Sequence, residues 1–180
     1  VNEFNTITGC NLFDFFSTVS ISYGIQLTNT GNSAWTITNN KFYQTASRTA
    51  ANPITHSTIS IGSGSGYIIS GNTFGYASNS GTGVYTITGS VDWKYVGVNC
   101  AFSTGGSNRI SNNIFRNFLI NTSSGASTNN GMWCSIFITA GSSSIDSNII
   151  GDGVSNNSIT VISTINLGIV VPICSQTTSG

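Results

Sequence analysis

The stretch Ile37-Thr38-Asn39-Asn40-Lys41-Phe42 decides the fold, because it recurs. Ile-x-x-Asn, followed after one residue by a large apolar side chain, is read again at Ile69-Ser70-Gly71-Asn72-Thr73-Phe74, Ile110-Ser111-Asn112-Asn113-Ile114-Phe115 and Ile145-Asp146-Ser147-Asn148-Ile149-Ile150. Ile7-Thr8-Gly9-Cys10-Asn11-Leu12 is a fifth copy with Cys in the Asn slot. The leading Ile falls at 7, 37, 69, 110 and 145, spacings of 30, 32, 41 and 35 residues. Working outward, a second strand precedes each later copy: Gly24-Ile25-Gln26-Leu27, Thr58-Ile59-Ser60-Ile61, Gly97-Val98-Asn99-Cys100 and Ser135-Ile136-Phe137-Ile138. Gly168-Ile169-Val170-Val171 is read as its last occurrence. The distance from this strand to the next Ile varies little while the rest of each period varies widely. Two strands are thus fixed, and a third side holds insertions.

A period of this length with one obligatory Asn at a turn reads as one coil of a parallel β-helix per repeat, with successive coils about 4.8 Å apart. Each Asn then stands over the Asn of the preceding coil. Its amide can bond the next amide in a buried ladder, and its tolerance of left-handed φ suits the bend. The expected ladder is Cys10, Asn40, Asn72, Asn113 and Asn148, with Cys10 breaking the amide series but keeping a small buried group in place. The Ile and Phe positions flanking the corner form apolar stacks. The fold class is all-β, a solenoid of about five coils with loop insertions, roughly 20–25 Å tall.

Composition agrees with this reading and narrows the function. Five Lys/Arg and five Asp/Glu make 6% of the 180 residues, where an ordinary soluble domain carries about 25%. Ser (29), Thr (23) and Asn (22), together with 21 Gly, exceed half the chain. Such a bias suggests disorder, but 38% hydrophobic residues, 23 Ile and only two Pro argue for a folded chain. Five scattered cations, Lys41, Arg48, Lys94, Arg109 and Arg116, do not make the basic surface that a nucleic-acid partner requires. Apolar runs such as Ile165–Ile173 are interrupted and fall short of the roughly 20 residues of a membrane helix. The first residues do not read as a basic and apolar leader, so the chain is expected to be a mature or excised piece whose export signal, if any, lies upstream. Strand edges at the two ends of a solenoid need covering, and residues 1–180 leave no room for a cap. The expectation is one β-helix segment, residues 1–180, cut from a longer solenoid chain or packed on other chains.

The ladder and its strands resemble right-handed parallel β-helix proteins of the pectate-lyase-like type, over essentially residues 1–175. More narrowly, Ile37–Ala50, Tyr67-Ile68-Ile69-Ser70-Gly71-Asn72-Thr73-Phe74-Gly75 and Tyr85-Thr86-Ile87-Thr88-Gly89 resemble coils of very large secreted surface proteins of Bacteroidetes. That resemblance implies right-handed coiling, export by the type IX system, a place on the cell surface or in an extracellular filament, and adhesion. It also implies adjoining coils or other chains of a surface assembly as partners.

The chemistry of β-helix lyases and hydrolases needs clustered carboxylates, with calcium and a basic residue or as an acid–base pair. Here Asp14 and Asp152 occupy the same slot, four residues past the ladder, but in the first and fifth copies, about 19 Å apart. Asp146 follows its Ile where other coils have Thr8, Thr38, Ser70 and Ser111, while Asp92 lies in the 84–94 insertion and Glu3 near the start. No catalytic residue, metal ligand or cofactor is assigned, and the likeness to lyases carries over as fold alone; convergence of Asp92, Lys94 and Arg116 through the insertions is the one arrangement left open. His56 is expected at the surface or a strand end. Cys100 and Cys134 are offset by about 13 Å along neighbouring strands, so buried free thiols are expected. Gly62-Ser63-Gly64-Ser65-Gly66 is a turn, not a phosphate loop.

For binding, Thr6/Thr8 and Thr36/Thr38 stand in register as on a flat ice-binding face, but the columns continue Ile68/Ser70, Arg109/Ser111 and Ser144/Asp146. Aromatic residues in or near the insertions, among them Tyr43, Tyr76, Tyr85 and Tyr95, are expected chiefly to pack loops onto the helix. Trp35, Trp93 and Trp133 are the candidate glycan contacts, as rings that bury sugar CH groups. Asn121-Thr122-Ser123 and Asn156-Asn157-Ser158 fit the N-glycosylation triplet, which has meaning only in a eukaryotic secretory route. The reading is a non-catalytic extracellular scaffold, stalk or adhesive module. The alternative is a carbohydrate-active β-helix, a lyase, hydrolase or tailspike-like glycan binder, with its catalytic coils outside this segment.

Overall fold

The computed structural model describes residues 2–123, 130–152, 158–165 and 168–176, and over these it holds strands and turns but no helix. Asn156-Asn157-Ser158 begins outside the described residues. Four parallel sheets wind around one core. Sheet I stacks β2 (Thr6–Thr8), β6 (Thr36–Thr38), β10 (Ile68–Ser70), β14 (Arg109–Ser111) and β18 (Ser144–Asp146). Sheet II, after the Asn corner, stacks β3 (Asn11–Phe13), β7 (Lys41–Tyr43), β11 (Thr73–Gly75), β15 (Ile114–Arg116) and β19 (Ile149–Ile150). Sheet III holds β8 (Arg48–Thr49), β12 (Tyr85–Thr88), β16 (Phe118–Thr122) and β20 (Ile159–Ser163). Sheet IV closes each turn with β4 (Tyr23–Leu27), β9 (Thr55–Ile61), β13 (Lys94–Ala101), β17 (Trp133–Ala140) and β21 (Val170–Ser175). A short pair, β1 (Asn2–Glu3) with β5 (Asn32–Ser33), lies beside the first corner. From Ile7 to Ile145 the chain makes four turns of a parallel β-solenoid and enters a fifth.

Register follows the repeat. Ile7, Ile37, Ile69, Ile110 and Ile145 pair in one column, and Leu12, Phe42, Phe74, Phe115 and Ile150 in the next. The phenyl rings stack with centroids 4.9 Å and 4.4 Å apart and planes within 10° and 7°, a spacing that the coil pitch imposes. Two expectations need correction. The third side is not only insertions: from the second turn onward it carries sheet III, and in the first turn residues 14–22 take its place. The last copy of the sheet IV strand is also not Gly168–Val171, because Ile136 pairs with Ile173 and Ile138 with Ser175. The true copy contains Pro172, which lacks a ladder donor but is tolerated on an edge strand.

The corner between sheets I and II shows why Asn recurs. The Nδ2 of Asn40, Asn72 and Asn113 donates to the Oδ1 of the next ladder Asn at 3.1, 3.0 and 2.9 Å. A second bond from each Nδ2 runs back to the Ile carbonyl of the preceding coil, as from Asn72 to Ile37 at 2.9 Å. Each Oδ1 also accepts the backbone N–H of the slot before it, as from Cys10 to Asn40 at 2.9 Å and Asn40 to Asn72 at 3.0 Å. Asn40, Asn72 and Asn113 are fully buried. The left-handed residue is the one before the ladder slot: Gly9, Asn39, Gly71, Asn112 and Ser147 have φ of 67°, 56°, 67°, 55° and 55°. The ladder Asn is therefore retained for its four-bond amide, and the bend is made by its neighbour. Cys10 is exposed rather than buried, since among the described residues no coil stacks on its outer side.

Candidate functional site

The carboxylates serve as fasteners. Asp14 accepts bonds from Gln44 Nε2 and from the Thr45 N–H and hydroxyl, tying the first turn to the second. Asp146 receives Arg109 Nε and Nη2, both at 3.1 Å, across one coil of sheet I, and this contact holds its carboxyl below the usual range. Among the described residues it is the one ion pair, and no three His, Cys, Asp or Glu side chains lie close enough to hold a metal. Asp92, Lys94 and Arg116 do not converge: Lys94 begins β13 in sheet IV, whereas Arg116 ends β15 in sheet II and donates to the Gly151 carbonyl at 2.8 Å.

His56 is wholly buried, contrary to the surface position expected for it. It shares an inward column with Tyr95 and Trp133, and the rings of Phe15 and Phe16 cover it at 5.4 and 5.0 Å. Nδ1 lies 2.8 Å from Ser22 Oγ and Nε2 lies 3.3 Å from the Tyr85 hydroxyl. Ser22 already accepts the Ser17 N–H. The two contacts are compatible with the Ser22 hydroxyl donating to Nδ1 and Nε2–H donating to the Tyr85 oxygen. Burial lowers the His56 pKa to about 3, with a hydrogen bond to the Ser22 backbone opposing only in part. Neutral and enclosed, this imidazole is part of the core.

Two of the three candidate sugar contacts are also core. Trp93 and Trp133 are 0% and 1% exposed, so neither ring offers a face to solvent. Trp133 stacks on Tyr95 at 6.2 Å; Trp93 sits beside Phe16 at 5.8 Å and donates Nε1 to the Asn121 carbonyl. Aromatic rings large enough to bridge the sheets fill the wide interior that the fourth side creates. Trp35 is half-buried, with its Nε1 donating to the Asn2 carbonyl at 3.0 Å. The four thiols are unpaired, with Cys100 and Cys134 buried and both pushed up by burial, Cys134 to about 12.

The surface feature of interest is a groove on the outer face of sheet II, which the sequence reading did not single out. Leu12, Phe42 and Phe74 point inward, so strand alternation puts Phe13, Tyr43 and Gly75 outward in one column, with Lys41, Thr73 and Ile114 in the other. Phe13 and Tyr43 stack at 5.1 Å with planes 12° apart. The column then stops at Gly75, whose φ is 113° and where a Cβ would stand 1.7 Å from the Arg116 carbonyl oxygen. No side chain fits there, because the Arg116 carbonyl and the Phe118 ring already fill that space. Beside Gly75 the chain turns through Tyr76 (φ 66°) into a loop whose Asn79 carbonyl accepts Lys41 Nζ at 2.6 Å. Ser78 Oγ bonds Ser80 Oγ and Thr82 Oγ1 at 2.9 and 2.7 Å and stiffens the loop. The enclosed space is about 220 Å³, bounded by Lys41, Tyr43, Thr73, Gly75, Tyr76 and the 78–81 segment. No carboxylate lines it. Tyr43 and Tyr76 are among the aromatic residues near the insertions that the sequence offers either as loop packing or as sugar platforms; Tyr43 is buried, 7% exposed, against Phe13.

No family model, curated protein or solved structure matches this chain. What the structure establishes is a parallel β-solenoid with an Asn ladder.

Proposed function

We propose that the chain is a rigid, non-catalytic segment of a secreted bacterial surface protein, a stalk or scaffold that also presents an adhesive face. The observation that carries this reading is the use made of the polar groups. The ladder amides are spent on coil-to-coil bonds, Asp14 and Asp146 are spent on fastening neighbouring turns, and His56 is enclosed. Continuous interstrand bonding along the axis favours stiffness, and the neutral Ser/Thr/Asn surface favours contact with polar, uncharged material. The resemblance of its coils to those of large Bacteroidetes surface proteins is the support for an origin in that group, export by the type IX route and exposure at the cell surface.

A carbohydrate-active β-helix is the second reading, favoured by the aromatic groove on sheet II. The two separate in one experiment: the purified chain is incubated with a panel of neutral and acidic polysaccharides, with and without calcium, and product ends and chain length are followed. Unchanged polymers are the expected result. Reproducible shortening of any polymer, lost when the chain is heat-denatured, would overturn the scaffold reading in favour of the enzyme.

A further inference from the structure

Of the 22 Asn in this chain, Asn130 alone is followed by Gly, and the fold treats that pair differently from the ladder. Asn is a thermolabile residue: its amide is lost when the main-chain nitrogen of the next residue attacks the side-chain carbon, so the state of that nitrogen decides which Asn reacts. After each ladder Asn it is spent. The N–H groups of Lys41, Thr73, Ile114 and Ile149 donate to the preceding coil at 2.8, 2.9, 2.8 and 2.8 Å. The amides of Asn40, Asn72 and Asn113 are themselves bonded and wholly buried, and a side chain on each following residue crowds the approach. None of these protections holds at position 130. Gly131 has no Cβ, and its bridge to Val170 is carried by the Met132 N–H on the Ile169 carbonyl at 2.7 Å, which leaves the Gly131 nitrogen out of that pairing. Asn130 is half-buried, within reach of water. The glycine is also fixed by the fold, because its φ is 64° and a Cβ would stand 2.3 Å from the Ile169 carbonyl oxygen. A reactive Asn–Gly pair is thus held where the chain enters β17, beside β21.

We infer that Asn130 is a site of self-modification, converting to aspartate and isoaspartate through a cyclic imide. The Gly131 nitrogen gives up its proton to base and bonds to Asn130 Cγ as the Cγ–Nδ2 bond breaks, and the departing nitrogen takes up a proton and leaves as ammonia. Water then opens the ring. Opening at Cγ leaves aspartate; opening at the main-chain carbonyl leaves isoaspartate, with one more atom in the main chain. Either product takes the formal net charge from zero to minus one. The lengthened link falls beside the Gly131–Val170 bridge, so isoaspartate loosens β21 from β17.

The test holds the whole chain in mildly alkaline ¹⁸O-labelled water, separates timed samples by ion exchange and maps them by peptide mass spectrometry. Position 130 should convert before any other Asn, faster as pH rises, with label in the product and with both aspartate and isoaspartate present. Gly131 is buried, so the native rate should fall below that of the chain in urea without vanishing. Asn130→Gln, whose ring would need one more member, should keep the fold and lose the acidic form. In the isoaspartate fraction the Met132 N–H should exchange faster than in the fresh chain, and Asn130→Asp, which carries the charge on a main chain of normal length, should not reproduce that. Earlier conversion at another Asn, conversion at 130 only in urea, or aspartate without isoaspartate would each overturn the proposal. Unchanged Met132 exchange in the isoaspartate fraction would refute the effect on the β17–β21 junction.

Discussion

Replacing Asn72 by Ala should be among the most damaging single changes in the ladder, and the structure says why it should exceed the same change at Asn40. The Asn72 amide makes four bonds: to the Ile37 carbonyl and Asn113 Oδ1 as donor, and from the Asn40 N–H and Asn40 Nδ2 as acceptor. Truncation leaves Asn113 Oδ1 satisfied by the backbone N–H at position 72. It strands two donors of Asn40, a fully buried residue. At roughly 1–3 kcal/mol for each buried group left unpaired, the loss is about 2–6 kcal/mol. Asn40→Ala strands one donor, the Cys10 N–H, because cysteine has no amide to orphan, and Cys10 is open to water; like Asn72→Ala it also frees one Ile carbonyl, here that of Ile7, and that loss should stay near 1 kcal/mol. Urea unfolding read by tryptophan fluorescence measures the difference, with amide hydrogen exchange at Asn40 and Cys10 as the local readout, since solenoids can unfold in steps. Equal losses at the two positions, or a loss below about 1 kcal/mol at Asn72, would refute the argument that stranded donors set the cost.

Other outcomes follow from single contacts. His56 has a pKa of about 3 in the folded chain against an ordinary 6.5 unfolded, so the unfolded state takes up its proton first as pH falls; stability is full above about pH 6.5 and drops by about 1.4 kcal/mol per pH unit down to about pH 3. As the chain's one histidine, it should leave a flat profile between pH 7 and 5 when changed to Phe, and a flat wild-type profile in thermal melts would contradict its burial. Gly75→Ala meets the Arg116 carbonyl at 1.7 Å while Gly81→Ala meets nothing within 4 Å, so the first should fail to give soluble folded protein and the second should cost about 1–2 kcal/mol for its positive φ; comparable melting temperatures would refute this. A thiol reagent should label Cys10 at once in the native chain and reach Cys100 and Cys134 only on unfolding, which mass spectrometry of timed samples checks.

What could be read from the sequence was whatever repeats in register. The Ile and Phe columns and the Asn corner were legible because each coil restates them at a fixed separation. Sheet III was not, since Arg48–Thr49 and Tyr85–Thr88 lie at unequal distances from their corners, and insertions between them hide the alternation. The burial of His56 and Trp133 was recoverable: both fall two residues before the repeated sheet IV strand, at Thr58 and Ser135, as Tyr95 does before Gly97. Aligning that strand by two more residues places all three rings in one inward column. Trp93 carries no such mark, because its environment is Thr122 and Asn121 from a neighbouring turn. Cys10 departs from the burial of its column because a column position is covered only where described coils lie on both sides of it.

The scarcity of charge has its cause in the same stacking. Parallel coils in register set equivalent residues about 4.8 Å apart, where two like charges at an effective dielectric near 20 repel by about 3 kcal/mol. A charge repeated down a column would therefore oppose folding at every step, while a hydroxyl or amide can repeat without cost and bond to its copy, as Thr38 does to Thr8 and Ser111 to Ser70. The outer columns obey this. Thr6, Thr36, Ile68, Arg109, Ser144 and Thr8, Thr38, Ser70, Ser111, Asp146 carry one charge each, of opposite sign and joined across a coil. On sheet II, Lys41 and Arg116 stand alone in their columns. Catalytic carboxylate pairs on adjacent coils would have to overcome that repulsion with compensating partners, and here the partners of Asp14 and Asp146 are structural. A single cation held by a neutral acceptor is, by contrast, compatible with the column rule, and that is the arrangement found where Lys41 donates to the Asn79 carbonyl.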